Sequence, residues 1–101
     1  MGQARIEVPK EKIAHFCRRW KVLQFALFGS VLRDDFRPES DVDVLVTFDS
    51  EAHHSLLDLV QMEEELETIF GRKVEIIEKE GIRNPFRRYA ILNNMEVVYE
   101  I

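Results

Sequence analysis

Hydrophobic positions along the chain follow two periods. Ile13, Phe16, Cys17 and Trp20 recur at three- and four-residue steps after Pro9, which predicts a helix over about 9–20 with those side chains on one face. Val22 to Phe28, VLQFALF, is an apolar and aromatic run ending at Gly29, the pattern of a buried strand that feeds a turn, with a short helix starting at Ser30. From Asp41 to Phe48 the segment DVDVLVTF alternates. Val42, Val44, Val46 and Phe48 take the core face, and Asp41, Asp43, Leu45 and Thr47 the other. Leu59, Met62, Leu66, Ile69 and Phe70 return to helical spacing, opened by Ser55 as N-cap with Asp58 in the first turn and stopped by Gly71. Lys73 to Glu78 reads as a strand, Asn84-Pro85 opens a helix through about Asn93, and MEVVYEI is a short closing strand. Strands separated by helices predict an α/β (α+β) fold, a small mixed sheet covered by helices on one or both faces.

With 101 residues, 46% of them hydrophobic, the chain fits one domain over 1–101 and has no room for a second, substrate-binding one. Its substrate is therefore small or carried by a partner. Nineteen acidic against 14 basic residues give a formal charge of -5, which lacks the basic footprint of non-specific nucleic-acid binding and argues against a duplex substrate. Cys17 is the single cysteine and sits on an apolar helix face, so it is read as core and not as nucleophile. The N-terminal MGQARIEVPKEK lacks the apolar run of a signal peptide, and no stretch approaches membrane-spanning length, so the expectation is a cytoplasmic protein.

Aspartate is a poor strand residue, and two carboxylates side by side repel, so Asp41-Val42-Asp43 calls for a positive charge that the sequence does not supply. Both side chains leave one strand face, roughly 7 Å apart along the chain. That spacing suits Mg²⁺, one ion or a pair, which is commonly held by one or two carboxylates together with substrate phosphates. Gly29-Ser30 offers the complementary half, a backbone that approaches a ligand closely and a hydroxyl, and Arg33 stands one turn on to neutralise phosphate. Together these residues describe a site for a Mg-nucleotide.

Gly29-Ser30, Arg33, Ser40 and Asp41-x-Asp43 fall at the spacing of GSxxR followed by SDxDxxV, and in this the chain resembles the DNA polymerase beta-like nucleotidyltransferase superfamily. The short length and the segments KVEII and NPFRRYAILN resemble its minimal nucleotidyltransferase (MNT) branch. The resemblance implies that Asp41 and Asp43 bind the catalytic metals, that Gly29, Ser30, Arg33 and Ser40 serve the nucleotide, and that Glu75 is the third carboxylate of the catalytic and metal-binding set. It further implies in-line transfer of AMP from ATP to a protein hydroxyl, a tyrosine of a HEPN-type toxin, with the chain as antitoxin. Two positions depart from the family pattern: Glu75 is one methylene longer than the usual aspartate, and Asp34 stands where relatives have Gly. The longer acid motivates the alternative, a catalytically weak or inactive module that neutralises its partner by binding. Assembly as a homodimer or hetero-oligomer is left open.

Several residues carry plainer expectations. Ser40 shapes a turn, Arg33 pairs with Asp34, Asp35 or Glu39, and His53-His54 are solvated. Glu63, Glu64, Glu65 and Glu67 form the wet face of their helix, or meet a basic partner. Arg83, Arg87 and Arg88 are surface charge, or a receiver of triphosphate or of an acidic partner.

Overall fold

The computed structural model describes residues 6–34 and 36–101. Helix α1, Lys10–Trp20, buries Ile13, Phe16, Cys17 and Trp20, and ends at Lys21, whose left-handed conformation (φ 60°) turns its N–H onto the Cys17 carbonyl. Strand β1, Val22–Phe28, runs into a single 3₁₀ turn, Gly29–Leu32, where the spacing had predicted a helix from Ser30. Strand β2 is Val42–Phe48 and helix α2 Leu56–Phe70. A full capping box between Ser55 and Asp58 opens α2, and Gly71 closes it with φ +71°. Strand β3, Val74–Glu78, leads through a second 3₁₀ turn to helix α3, Pro85–Leu92, whose first amides are capped by Asn84 Oδ1. Strand β4, Glu96–Glu100, ends the sheet.

The strand order is β3-β2-β1-β4. Strand β1 is antiparallel to both of its neighbours, whereas β2 and β3 are parallel, joined by the crossover that α2 provides. One sheet face packs Phe25, Leu27, Val42, Val44 and Val46 against α1 and α2, with Phe16 edge-on to Phe25 at 6.0 Å between ring centroids. The opposite face holds a smaller cluster of Ala26, Phe28, Leu45, Ile82 and Ile91 beneath α3. The alternation in β2 thus feeds two cores: the valines go to one, while Leu45, on the aspartates' side, goes to the other. Among the described residues no helix is long and apolar enough to cross a membrane.

Two expectations are corrected. The acidic run of α2 is not simply a wet face. Glu63 Oε2 and Glu67 Oε2 accept from the backbone N–H groups of Ile76 and Val74 at 3.2 and 3.4 Å, which covers the free edge of β3, and Glu65 accepts from Trp20 Nε1 at 3.3 Å. Only Glu64 of the four is fully exposed. Nor is His54 solvated: its Nε2 lies 2.7 Å from the Trp20 carbonyl and its ring packs on Phe48 and Trp20, whereas His53 stays exposed.

Phe25 is wholly buried at the centre of the larger core, so Phe25→Ala is expected to destabilise the protein by about 3–5 kcal/mol, read as a lower urea midpoint with an unchanged slope.

Candidate active site

Three strand ends bring the site together. Asp43 stands near the start of β2 and Asp41 just before it, near enough for its charge to act on Asp43; the parallel register pairs Asp43 with Glu75 of β3, while Phe28 at the end of β1 pairs with Asp43 from the other side. The start of β2 is pinned by the Val42 N–H donating to the Lys73 carbonyl at 2.9 Å. Gly29 then turns the chain with φ +77°. A Cβ there would overlap Asp43 Oδ2 and sit 3.4 Å from its Cγ, so glycine is required both for the backbone angle and for the closeness of the carboxylate.

Asp41 and Glu75 are exposed and Asp43 is half-buried between them. Burial pushes the Asp43 carboxyl above its ordinary value, and the like charges of Glu75 and Asp41 push it further, while Arg33 and Arg87 pull it down. This cluster of acids is therefore short of positive charge. Its donors are all hard oxygens, which fits a hard divalent cation. Among the described residues no three carboxylate, imidazole or thiol groups converge closely enough to hold an ion unaided.

The flanking residues separate into two groups. Ser30 Oγ donates to the Asp41 carbonyl at 3.4 Å, tying the glycine turn to the approach of β2. Ser40 shapes its own turn: its Oγ accepts from the Arg37 N–H at 3.1 Å and its N–H donates to the Arg37 carbonyl at 3.0 Å. Arg72 secures that turn, its Nη1 donating to the Arg37 carbonyl at 3.1 Å with the guanidinium lying over Phe36. Arg33 acts electrostatically on Asp43; of its expected partners, Asp35 lies outside the described residues. Asp34 does not need glycine's freedom, since Lys21 is the one non-glycine residue with positive φ among those described. Cys17 is buried and its thiol is pushed up to about 12, which removes it as a nucleophile.

Sequence reasoning did not resolve the contribution of α3. Of the three arginines around its start, Arg88 is held by the Lys79 carbonyl at 2.8 Å, while Arg87 acts on Asp43. Arg87, Ala90, Ile91 and Asn94 recur at i, i+3, i+4 and i+7, one side of the helix and its extension, and this spacing was the available signal.

Two outcomes follow from the crowded acids. Gly29→Ala is expected to destabilise the fold by more than about 1 kcal/mol, and adding Asp43→Ala to recover part of the loss in a double-mutant cycle, because the overlapped oxygen is gone. Folded Asp43 keeps its proton to higher pH than the unfolded chain does, so folding binds protons in that window and stability falls as pH rises through it. Asp43→Asn should therefore raise the thermal midpoint at neutral pH, with a gain that shrinks as the pH drops below the carboxylate range.

The model of the nucleotidyltransferase domain family matches residues 10–98. The protein adenylyltransferase MntA of Thermococcus cleftensis is 35% identical over 81 residues, covering 80% of this chain and 77% of the relative. MJ1379 of Methanocaldococcus jannaschii, whose name assigns it provisionally to the same activity, is 40% identical over 73 residues, 72% of this chain and 73% of the relative. A solved structure described as a minimal nucleotidyltransferase superposes with a TM-score of 0.70 at 31% identity, covering 85% of each chain. At 14% identity the fold is also shared with a chain from a toxin-antitoxin complex with AMP-PNP, with a TM-score of 0.73 and coverage of 93% of this chain and 75% of that one. It is shared likewise with a chain of the complex between tri-AMPylated Shewanella oneidensis HEPN toxin and MNT antitoxin, at a TM-score of 0.64 with 91% and 70% covered. The acids and the glycine turn lie within the matched residues, and the chain belongs to the nucleotidyltransferase domain family, in its minimal nucleotidyltransferase branch.

Proposed function

We propose that the protein is a Mg²⁺-dependent adenylyltransferase that moves AMP from ATP to a hydroxyl of a partner protein, a tyrosine of a HEPN-type toxin, and so acts as an antitoxin. The observation that carries this reading is the register that sets Glu75 opposite Asp43 on β3, with Asp41 just before β2 and the glycine turn alongside. Relatives named for protein adenylylation, and a fold neighbour in which an MNT antitoxin sits with an AMPylated HEPN toxin, support the choice of acceptor class.

In this reading Asp41 and Asp43 hold the metal together with triphosphate oxygens. Bound Mg²⁺ supplies charge neutralisation along the triphosphate and lowers the pKa of the acceptor hydroxyl. Glu75 takes the proton of that hydroxyl, through its longer side chain or through one water, as the oxygen attacks the α-phosphorus in line. The new O–P bond forms while the bond to the bridging α,β-oxygen breaks, and pyrophosphate leaves with the electron pair. Arg33 and Arg87, the two cations that act on Asp43, offset phosphate charge. Gly29 leaves the phosphates room beside Asp43, and Ser30 and Ser40 hold the turns on either side. In this reading the partner brings the hydroxyl and completes the enclosure.

The longer Glu75 favours a second reading, in which the fold survives as a module that neutralises its partner by docking alone. Intact-mass analysis of a HEPN-type partner incubated with the protein, Mg²⁺ and ATP separates the two. The expected result is a gain of one or more AMP units that disappears with EDTA and with Asp41→Asn/Asp43→Asn, and a rate lowered by about 10²–10⁴-fold in Glu75→Gln. A stable complex with no mass gain would establish the docking module instead.

A further inference from the structure

The three acids of the site are not held alike. Asp43 and Glu75 lie within strands and face each other in the β2–β3 ladder, whereas Asp41 precedes β2 and follows a segment, 33–40, with no strand or helix among its described residues. What fixes Asp41 is therefore the backbone on either side of it. On its C-terminal side the Val42 N–H donates to the Lys73 carbonyl at 2.9 Å. On its N-terminal side Arg72 Nη1 donates to the Arg37 carbonyl at 3.1 Å and lies 3.5 Å from the Ser40 carbonyl, with the guanidinium 4.6 Å from the centre of the Phe36 ring. Phe36 in turn packs on the larger core, which anchors this clamp in the fold. One short segment thus serves the site three times: Arg72 grips the approach to Asp41, Lys73 grips Val42, and Glu75 is an acid itself.

The surroundings of Arg72 leave few other reasons for an arginine. It meets no carboxylate among the described residues, and the cations that act on Asp43 are Arg33 and Arg87. Its Nε is shut off from solvent with no hydrogen-bond partner among the described residues, which costs stability. What arginine supplies here and lysine does not is a planar fork that reaches two carbonyls while its face covers a ring. We propose that Arg72 is a positioning residue that sets Asp41 relative to Asp43, and so fixes the separation of the two carboxylates assigned to the metal. The inference rests on the nucleotidyltransferase reading above and adds a residue that acts through Asp41.

The test titrates the protein into a fixed Mn²⁺–α,β-methylene-ATP complex, with Mn²⁺ standing in for Mg²⁺, and follows the enhancement of water-proton relaxation, a signal from the metal itself. Arg72→Lys keeps the charge and loses the fork, and is expected to weaken binding of the complex by about tenfold. Phe36→Leu keeps an apolar contact and loses the stacked ring, and should show a smaller loss in the same direction. In an Asp41→Asn background either substitution should cost less than about twofold, because the carboxylate being positioned is gone. Binding unchanged in folded Arg72→Lys, with only its melting temperature lowered, would overturn the proposal, since that is the behaviour of a residue that merely stabilises the turn. Equal losses with and without the Asp41 carboxylate would overturn it as well. Should Arg72→Lys fail to fold, Phe36→Leu decides by the same comparison. A parent protein that gives no relaxation enhancement would overturn the nucleotidyltransferase reading, and this inference with it.

Discussion

The parallel pairing of β2 with β3 is the constraint on which the rest of the structure depends. One register decision places Val42 opposite Val74 in the core and, one residue on, Asp43 opposite Glu75 at the surface. Because strand side chains alternate, the apolar face that holds the protein together and the acidic face that gives it chemistry are two sides of the same hydrogen-bonded ladder. Helix α2 secures that ladder twice, through Met62 and Leu66 in the core and through the Glu63 and Glu67 carboxylates on the outer edge of β3.

The acidic cluster is short of positive charge. Burial and two like charges act together on Asp43, against only the pull of Arg33 and Arg87. A fold selected for stability alone would not keep such a cluster. The strain is confined to the open end of the α3-side face, where Asp43 is half-buried and its neighbours are exposed, while Leu45, two residues further, is already fully packed. Within a single turn of strand the environment passes from core to reaction site.

Much of this was legible from residue order. The amphipathic spacing of α1, the alternation of β2, the Ser55–Asp58 box and the Asn84-Pro85 start all carry local physical signals, and each of those elements lies within a residue or two of its expected bounds. The site acids were legible because a DxD in an apolar strand contradicts strand propensity, and such a local contradiction marks function. What escaped was tertiary. Nothing in a run of glutamates says that two of them will meet the free N–H groups of a strand, and nothing in His53-His54 tells which ring will pack on Trp20. Arg87 gains meaning only once α3 is laid across the sheet. The 3₁₀ turn after Gly29 in place of a helix reflects the short run before Arg33, which leaves the turn no length to propagate.

The two-sided use of β2 also sets how this sequence can tolerate insertions and deletions. A single residue added or lost between Asp41 and Asp43 would turn the Asp43 carboxylate toward the valine core and move every later side chain of the strand to the other face. The segment between Arg33 and Ser40 carries no strand register, and its exposed residues, among them Arg37, Pro38 and Glu39, answer to no alternation. The two halves of the motif are therefore joined outside the sheet, through the turn that Ser40 and Arg72 hold at Arg37, while the spacing inside the second half is as rigid as the strand itself.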